Sequence, residues 1–226
     1  MMKRIILLLL VFYQLTTSAQ LKYCVGPQEY GAGKWIALDV PIQVDHRSKE
    51  QKWWWGGSEF KFNTEDKKTD KMLRNDAFVI MYQDSLYVNC KRLRSNETLG
   101  KRPFGTGYTK ALPISEGNLL VVYPPVSSGN AILGTSVLFG VVAGIAVAGA
   151  VSGDVLKNMV CYLVRTNSLS GDKNVKVLRI DTELMEKLLA DDPDMLNEYK
   201  SVKKKKAREG AANTLDIFTR KGWIQK

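Results

Sequence analysis

Apolar and polar positions alternate along this chain in several distinct ways, and each way predicts a different element. Residues 77–90, "AFVIMYQDSLYVNC", place two β-prone runs on either side of Gln83-Asp84-Ser85, the spacing of a hairpin. "NLLVVYPP" is a continuous apolar strand that stops at Pro124-Pro125, because proline has no N–H for a ladder. "NMVCYLVRT" and "VKVLRI" flank the turn cluster "NSLSGDKN" and predict a further strand pair. From Asp181 the period changes to helical. Leu184, Met185, Leu188 and Leu189 fall on one face, with Asp181 or Thr182 as the cap. Asp192 followed by Pro193 predicts a second helix start, and Asp191, Asp192 and Asp194 complement its dipole. Residues 211–224 offer a third helix.

Upstream the pattern is weaker. Residues 20–75 mix aromatic islands with glycine and charge; 34–44 supply one or two short strands, and 64–74 read as a charged turn. Gly100, Pro103, Gly105 and Gly107 mark a loop. "GKRPFGT" within it has phosphate-loop glycine spacing but lacks the lysine after the second glycine, so it reads as a basic hinge. The fold class expected is α+β: a small β-rich body, barrel or sandwich, interrupted by an apolar insertion and followed by a helical tail. The organisation expected is a signal peptide (1–19), a Trp/Gly-rich region (20–75), the β-rich body (76–180) with its insertion (131–153), and a basic helical tail (181–226).

That insertion is the most distinctive pattern. Residues 131–151 carry no charge, and their number matches a helix crossing a hydrocarbon core of roughly 30 Å. Gly140 and Gly144, then Gly149 and Gly153, form two GxxxG spacings, and Ala148 extends the small-residue ladder. On a helix this ladder clears a groove for a second backbone. Two readings stand side by side: a single span, or a hairpin that is buried or touches the membrane. The strand-like runs on either side look like neighbours in one sheet, which weighs against a span. Membrane contact or self-association is the expectation.

The N-terminus sets the compartment. Lys3 and Arg4, an apolar run over 5–13 and Thr17-Ser18-Ala19 make a secretory signal peptide with cleavage expected after Ala19. At 226 residues and 45% hydrophobic content the chain has enough apolar material for a substantial core. Its net charge of +10 favours acidic partners. Export makes nucleic acid unsuitable and turns attention to anionic lipid or acidic glycan. Lys203, Lys204, Lys205 and Lys206 are the densest basic run and the candidate contact with an anionic surface. Cys24, Cys90 and Cys161 allow at most one internal disulfide; Cys90 and Cys161 sit in strand-like runs, and two buried thiols acting as small hydrophobes are at least as fitting a reading.

Catalytic patterns are sparse. His46 is the only histidine, which removes multi-histidine metal sites and weakens Ser-His and Cys-His mechanisms. CxxC, HExxH, GxSxG and GxGxxG are all missing, and no cofactor is expected. Trp53, Trp54 and Trp55 precede Gly56-Gly57; side chains alternate along a strand, so all three cannot enter one core. They are a candidate ligand or interface cluster, or a hydrophobic plug.

"DSLYVNCKRL", "GTGYTKALPISEGNLLVVYPP" and "DTELMEKLLADDPDMLNEYK" together resemble a family of uncharacterised exported proteins of Bacteroides-type bacteria, over about residues 76–200. The resemblance implies a Gram-negative envelope setting and no activity. The function expected is therefore non-enzymatic: an exported envelope protein that binds or scaffolds, with its glycine-rich segment contacting the membrane or a second copy. The alternative is an exported carbohydrate-binding protein or hydrolase using the tryptophans and carboxylates.

Overall fold

The computed structural model describes residues 20–46, 60–95, 104–123, 125, 156, 159–166 and 175–224. β1 (Leu21–Cys24) is followed by a short helix, α1 (Pro27–Gly31), and by β2 (Ile36–Leu38), which pairs antiparallel with β1. β3 (Gln43–His46) pairs antiparallel with β4 (Phe60–Asn63). The stretch read as a charged turn is instead a helix, α2 (Lys67–Asn75). Asp66 caps it, accepting from Lys68 N at 3.1 Å and Thr69 N at 2.9 Å. At its other end, side chains from distant strands satisfy the last carbonyls. Asn89 Nδ2 donates to Arg74 O at 3.2 Å and Ala77 O at 2.9 Å, and the Tyr108 hydroxyl donates to Leu73 O. Leu73 is the one fully buried residue of α2, so its sequence carries little apolar stripe.

β5 (Val79–Tyr82) and β6 (Ser85–Asn89) form the predicted hairpin, with Tyr82 opposite Ser85. Gln83 and Asp84 both adopt left-handed φ, 49° and 55°, the turn whose twist matches the strands. β6 runs through a 3₁₀ turn (Cys90–Arg92) straight into β7 (Leu93–Ser95). β8 (Tyr108–Pro113), β9 (Leu119–Tyr123), β10 (Val160–Val164) and β11 (Val175–Arg179) follow. The pairing order is β6–β8–β9–β10–β11–β7, with β11 and β7 parallel and the other pairs antiparallel. Because β7 continues β6, the ladder closes on itself as a barrel, which removes edge strands there. β1 extends the sheet from β5, and β4 joins it at Tyr108 of β8.

Strand alternation then separates the cores. Leu119, Val121 and Tyr123 of β9, with Val160, Tyr162 and Val164 of β10, fill the barrel beside Val88, Phe104, Val175 and Val177. The intervening Leu120, Val122, Cys161 and Leu163 point outward beneath the C-terminal helices. β9 and β10 are buried on both faces, which explains their unbroken apolar runs. Each large side chain taken fully out of water contributes about 2 kcal/mol, and this double burial makes β9 and β10 the centre of the fold.

α3 (Thr182–Leu188), α4 (Pro193–Ser201), α5 (Lys205–Arg208) and α6 (Ala211–Arg220) complete the chain. Asp181 caps α3 through Leu184 N at 2.9 Å, and Asp192 caps α4 through Met195 N at 3.1 Å. α6 lies against β10, its Leu215, Ile217 and Phe218 buried in the outer core with Met185, Leu189 and Tyr199. Arg220 grips Glu198 with two nitrogens at 3.0 Å each, and Lys221 reaches Asp192 at 3.1 Å, tying α6 to α4.

Candidate functional site

β9 and β10 pair along their whole lengths, from Leu119 opposite Val164 to Tyr123 opposite Val160. The chain therefore leaves β9 after Tyr123 and re-enters the sheet at Val160, at the same end of two adjacent strands. Gly140, Gly144, Ala148, Gly149 and Gly153 lie outside the described residues, as do Trp53, Trp54, Trp55 and residues 1–19. At the root, Leu156 and Met159 are buried in the core under the helices. Among the described residues, no helix is long and apolar enough to cross a membrane.

The same root receives the C-terminal region. Ala211 N donates to Met159 O at 3.0 Å, and Gly210 bridges to Val160. A side chain on Gly210 would put its Cβ 3.1 Å from Lys206 O and 3.2 Å from Ala207 O, so glycine lets the chain turn tightly off the end of α5. The basic run ends three residues short of Gly210, and Lys203, Lys204, Lys205 and Lys206 are all exposed.

These cations are not equivalent. Lys205 reaches Glu209 at 3.8 Å, and the neighbouring Lys200 reaches Glu186 at 3.2 Å. Arg208 turns inward, donating to Val202 O at 3.2 Å and Thr182 Oγ1 at 3.4 Å, with its guanidinium 5.9 Å from the Tyr199 ring centre. The ammonium groups of Lys203 and Lys204 make no hydrogen bond or ion pair with the described residues. Beneath the turn, buried Glu209 accepts from Thr182 N at 3.0 Å and Thr182 Oγ1 at 2.8 Å. Its other oxygen takes Arg179 at 3.4 Å. Glu209 thus clamps the turn to the end of β11 and the start of α3. Its one sequence signal is that it is the lone acid in "KKKKAREG".

The opposite end of the barrel holds a groove of about 830 Å³. Its floor is Ile114, Leu163, Leu178, Leu188, Phe218 and Trp223, and its rim carries Glu116, Arg165 and Lys187. Glu116 has φ 61° in a turn held by Thr166 Oγ1, which donates to Gly117 O at 2.8 Å. The rim thus mixes charge signs. No cluster of three His, Cys, Asp or Glu side chains suited to a metal occurs among the described residues. His46 sits exposed on β3 against Phe60, 4.5 Å between ring centres, away from this groove.

Cys90 and Cys161 are buried thiols outside any disulfide, as the small-hydrophobe reading expects, and Cys24 is a third. Burial pushes the Cys24 thiol up to about 12, with Glu29 adding to the rise, and also drives the Cys161 thiol well above its ordinary value. Iodoacetamide at pH 8 is therefore expected to leave the native chain unlabelled and to modify all three cysteines in guanidinium, read by mass spectrometry. Rapid labelling of native Cys24 or Cys161 would contradict this placement.

Residues 22–220 match a family model described as a family of unknown function (DUF6563). The match takes in the N-terminal strands and α2 as well as the barrel and the helical tail, so it reaches beyond the 76–200 region of the resemblance. Comparison with curated proteins and with solved structures returns no match.

Proposed function

Since the chain belongs to this family of unknown function, we propose its role from its own geometry: a non-enzymatic exported envelope protein that contacts the membrane, or a second copy of itself, through residues 131–153. Lys3, Arg4, the apolar run over 5–13 and Thr17-Ser18-Ala19 support export, and the resemblance to Bacteroides-type proteins supports a Gram-negative envelope. The observation that carries the reading is the β9–β10 ladder. It roots a long uncharged run at one end of a closed barrel whose interior is filled by other residues. In this reading the uncharged run serves as the association surface. The Gly140–Gly144 spacing supplies a close-packing face if it associates as helices.

The test is envelope fractionation with carbonate and salt washes, followed by crosslinking, on the wild-type chain and Gly144→Leu. The wild type is expected in the wash-resistant pellet and in crosslinked oligomers, and Gly144→Leu is expected to lower the oligomer fraction about tenfold. Complete release of the wild type as a soluble monomer overturns the proposal.

A further inference from the structure

Two features that the sequence presents far apart meet at one place in the fold. Just beyond the basic run, Gly210 bridges to Val160 and Ala211 N donates to Met159 O, at the strand end where the chain re-enters the sheet. From this juxtaposition we infer that the turn carrying Lys203 and Lys204 is an anionic-lipid contact, seating headgroups beside the root of the apolar segment. The inference rests on the membrane reading above and deepens it by assigning the lipid chemistry.

The local geometry favours a lipid surface over a discrete anion. Arg208 is committed to Val202 O, Thr182 Oγ1 and the Tyr199 ring, so the guanidinium that could bind one phosphate bidentately is occupied. Lys203 and Lys204 remain as exposed ammonium groups. Such point charges suit a diffuse layer of headgroups better than a single planar ligand. The turn is also held in place. Glu209 fastens it from beneath, and Gly210 lets it lie close against α5. Two acids of this region are already engaged, Glu209 with Arg179 and Glu186 with Lys200. At the other end of the barrel, the groove rim mixes charge signs, with Glu116 beside Arg165 and Lys187 in its lining.

The experiment is flotation of the chain from Gln20 onward with two kinds of vesicle: phosphatidylcholine alone, and equal parts phosphatidylcholine and phosphatidylglycerol. The wild-type chain is expected to prefer the anionic vesicles, and the preference to weaken as salt shortens the screening length. Lys203→Gln with Lys204→Gln is expected to lower partition to anionic vesicles about thirty-fold and to leave partition to neutral vesicles unchanged. Both lysines are exposed, so the melting temperature serves as a control and should not move. Equal binding of the double variant and the wild type to anionic vesicles overturns the inference. So does binding of dextran sulfate with no difference between the two vesicles, which would assign the turn to a soluble polyanion. A chain lacking residues 126–155 separates this inference from its premise. Undiminished binding of that chain to neutral vesicles would remove the apolar segment from the contact, while loss of the anionic preference in the double variant would still identify the lysines.

Discussion

Excision of residues 126–155, with Asn-Gly joining Pro125 to Leu156, is expected to give a folded barrel that no longer pellets with membranes or forms oligomers. Tyr123 and Val160 are directly paired, and Pro124, Pro125, Asn-Gly and residues 156–159 still link them, enough to close the gap without moving either strand. The barrel interior is built from residues that the excision leaves in place, and Leu156 and Met159 stay to fill the outer core. Closing a much shorter loop should add about 1 kcal/mol of stability through the chain entropy of the unfolded state. Circular dichroism and thermal melting test the body, and size exclusion with carbonate-washed membranes tests the association. A melting temperature equal to or above that of the full chain, with release to the soluble fraction, is the expected result. A collapse of the melting temperature would mean that the segment packs inside the fold. An intact melt with unchanged pelleting would place the membrane contact elsewhere on the chain.

The sequence was most legible where a segment's surroundings are uniform. β9 and β10 are covered on both faces, so "NLLVVY" and "VCYLV" are almost wholly apolar and read directly as buried strands. The hairpin at Gln83-Asp84 and the caps at Asp181 and Asp192 are local, and they too were visible. α2 was not visible, because Asn89 and Tyr108 complete its C-terminus from strands that follow it in the chain. Closure of the barrel was hidden for a similar reason. It depends on Leu93, Arg94 and Ser95 pairing parallel with β11, and "KRLRS" carries no strand signal strong enough to show that. The basic run and the uncharged run could each be seen, but not their meeting. That rests on Gly210 against Val160, a tertiary register that neither segment encodes alone.

Glu209→Ala is expected to destabilise the native chain by about 3 kcal/mol, because it strips a buried acceptor from several donors at once. The Thr182 amide and hydroxyl would lose the Glu209 acceptor, and Arg179, only 24% exposed, would lose the Glu209 carboxylate. Lys205 adds little to this sum, since its ammonium is 75% exposed and lies 3.8 Å away. Glu209→Gln isolates the two contributions. The amide oxygen keeps an acceptor for Thr182 while the charge facing Arg179 disappears, so a smaller loss of about 1 kcal/mol is expected. Urea unfolding measures both, with the slope required to stay constant for the midpoints to be comparable. If the glutamine variant falls as far as the alanine variant, the ion pair holds this corner and the Thr182 hydrogen bonds are secondary. If neither variant moves the midpoint, the clamp beneath the basic turn is not an energetic anchor. The Lys203 and Lys204 ammonium groups would then owe their position to Gly210 and its bridge to β10 alone. Because the glutamine variant is expected to stay folded, it also connects stability to function. It should retain the preference for anionic vesicles, since the charge it removes lies beneath the turn and is already matched within the fold.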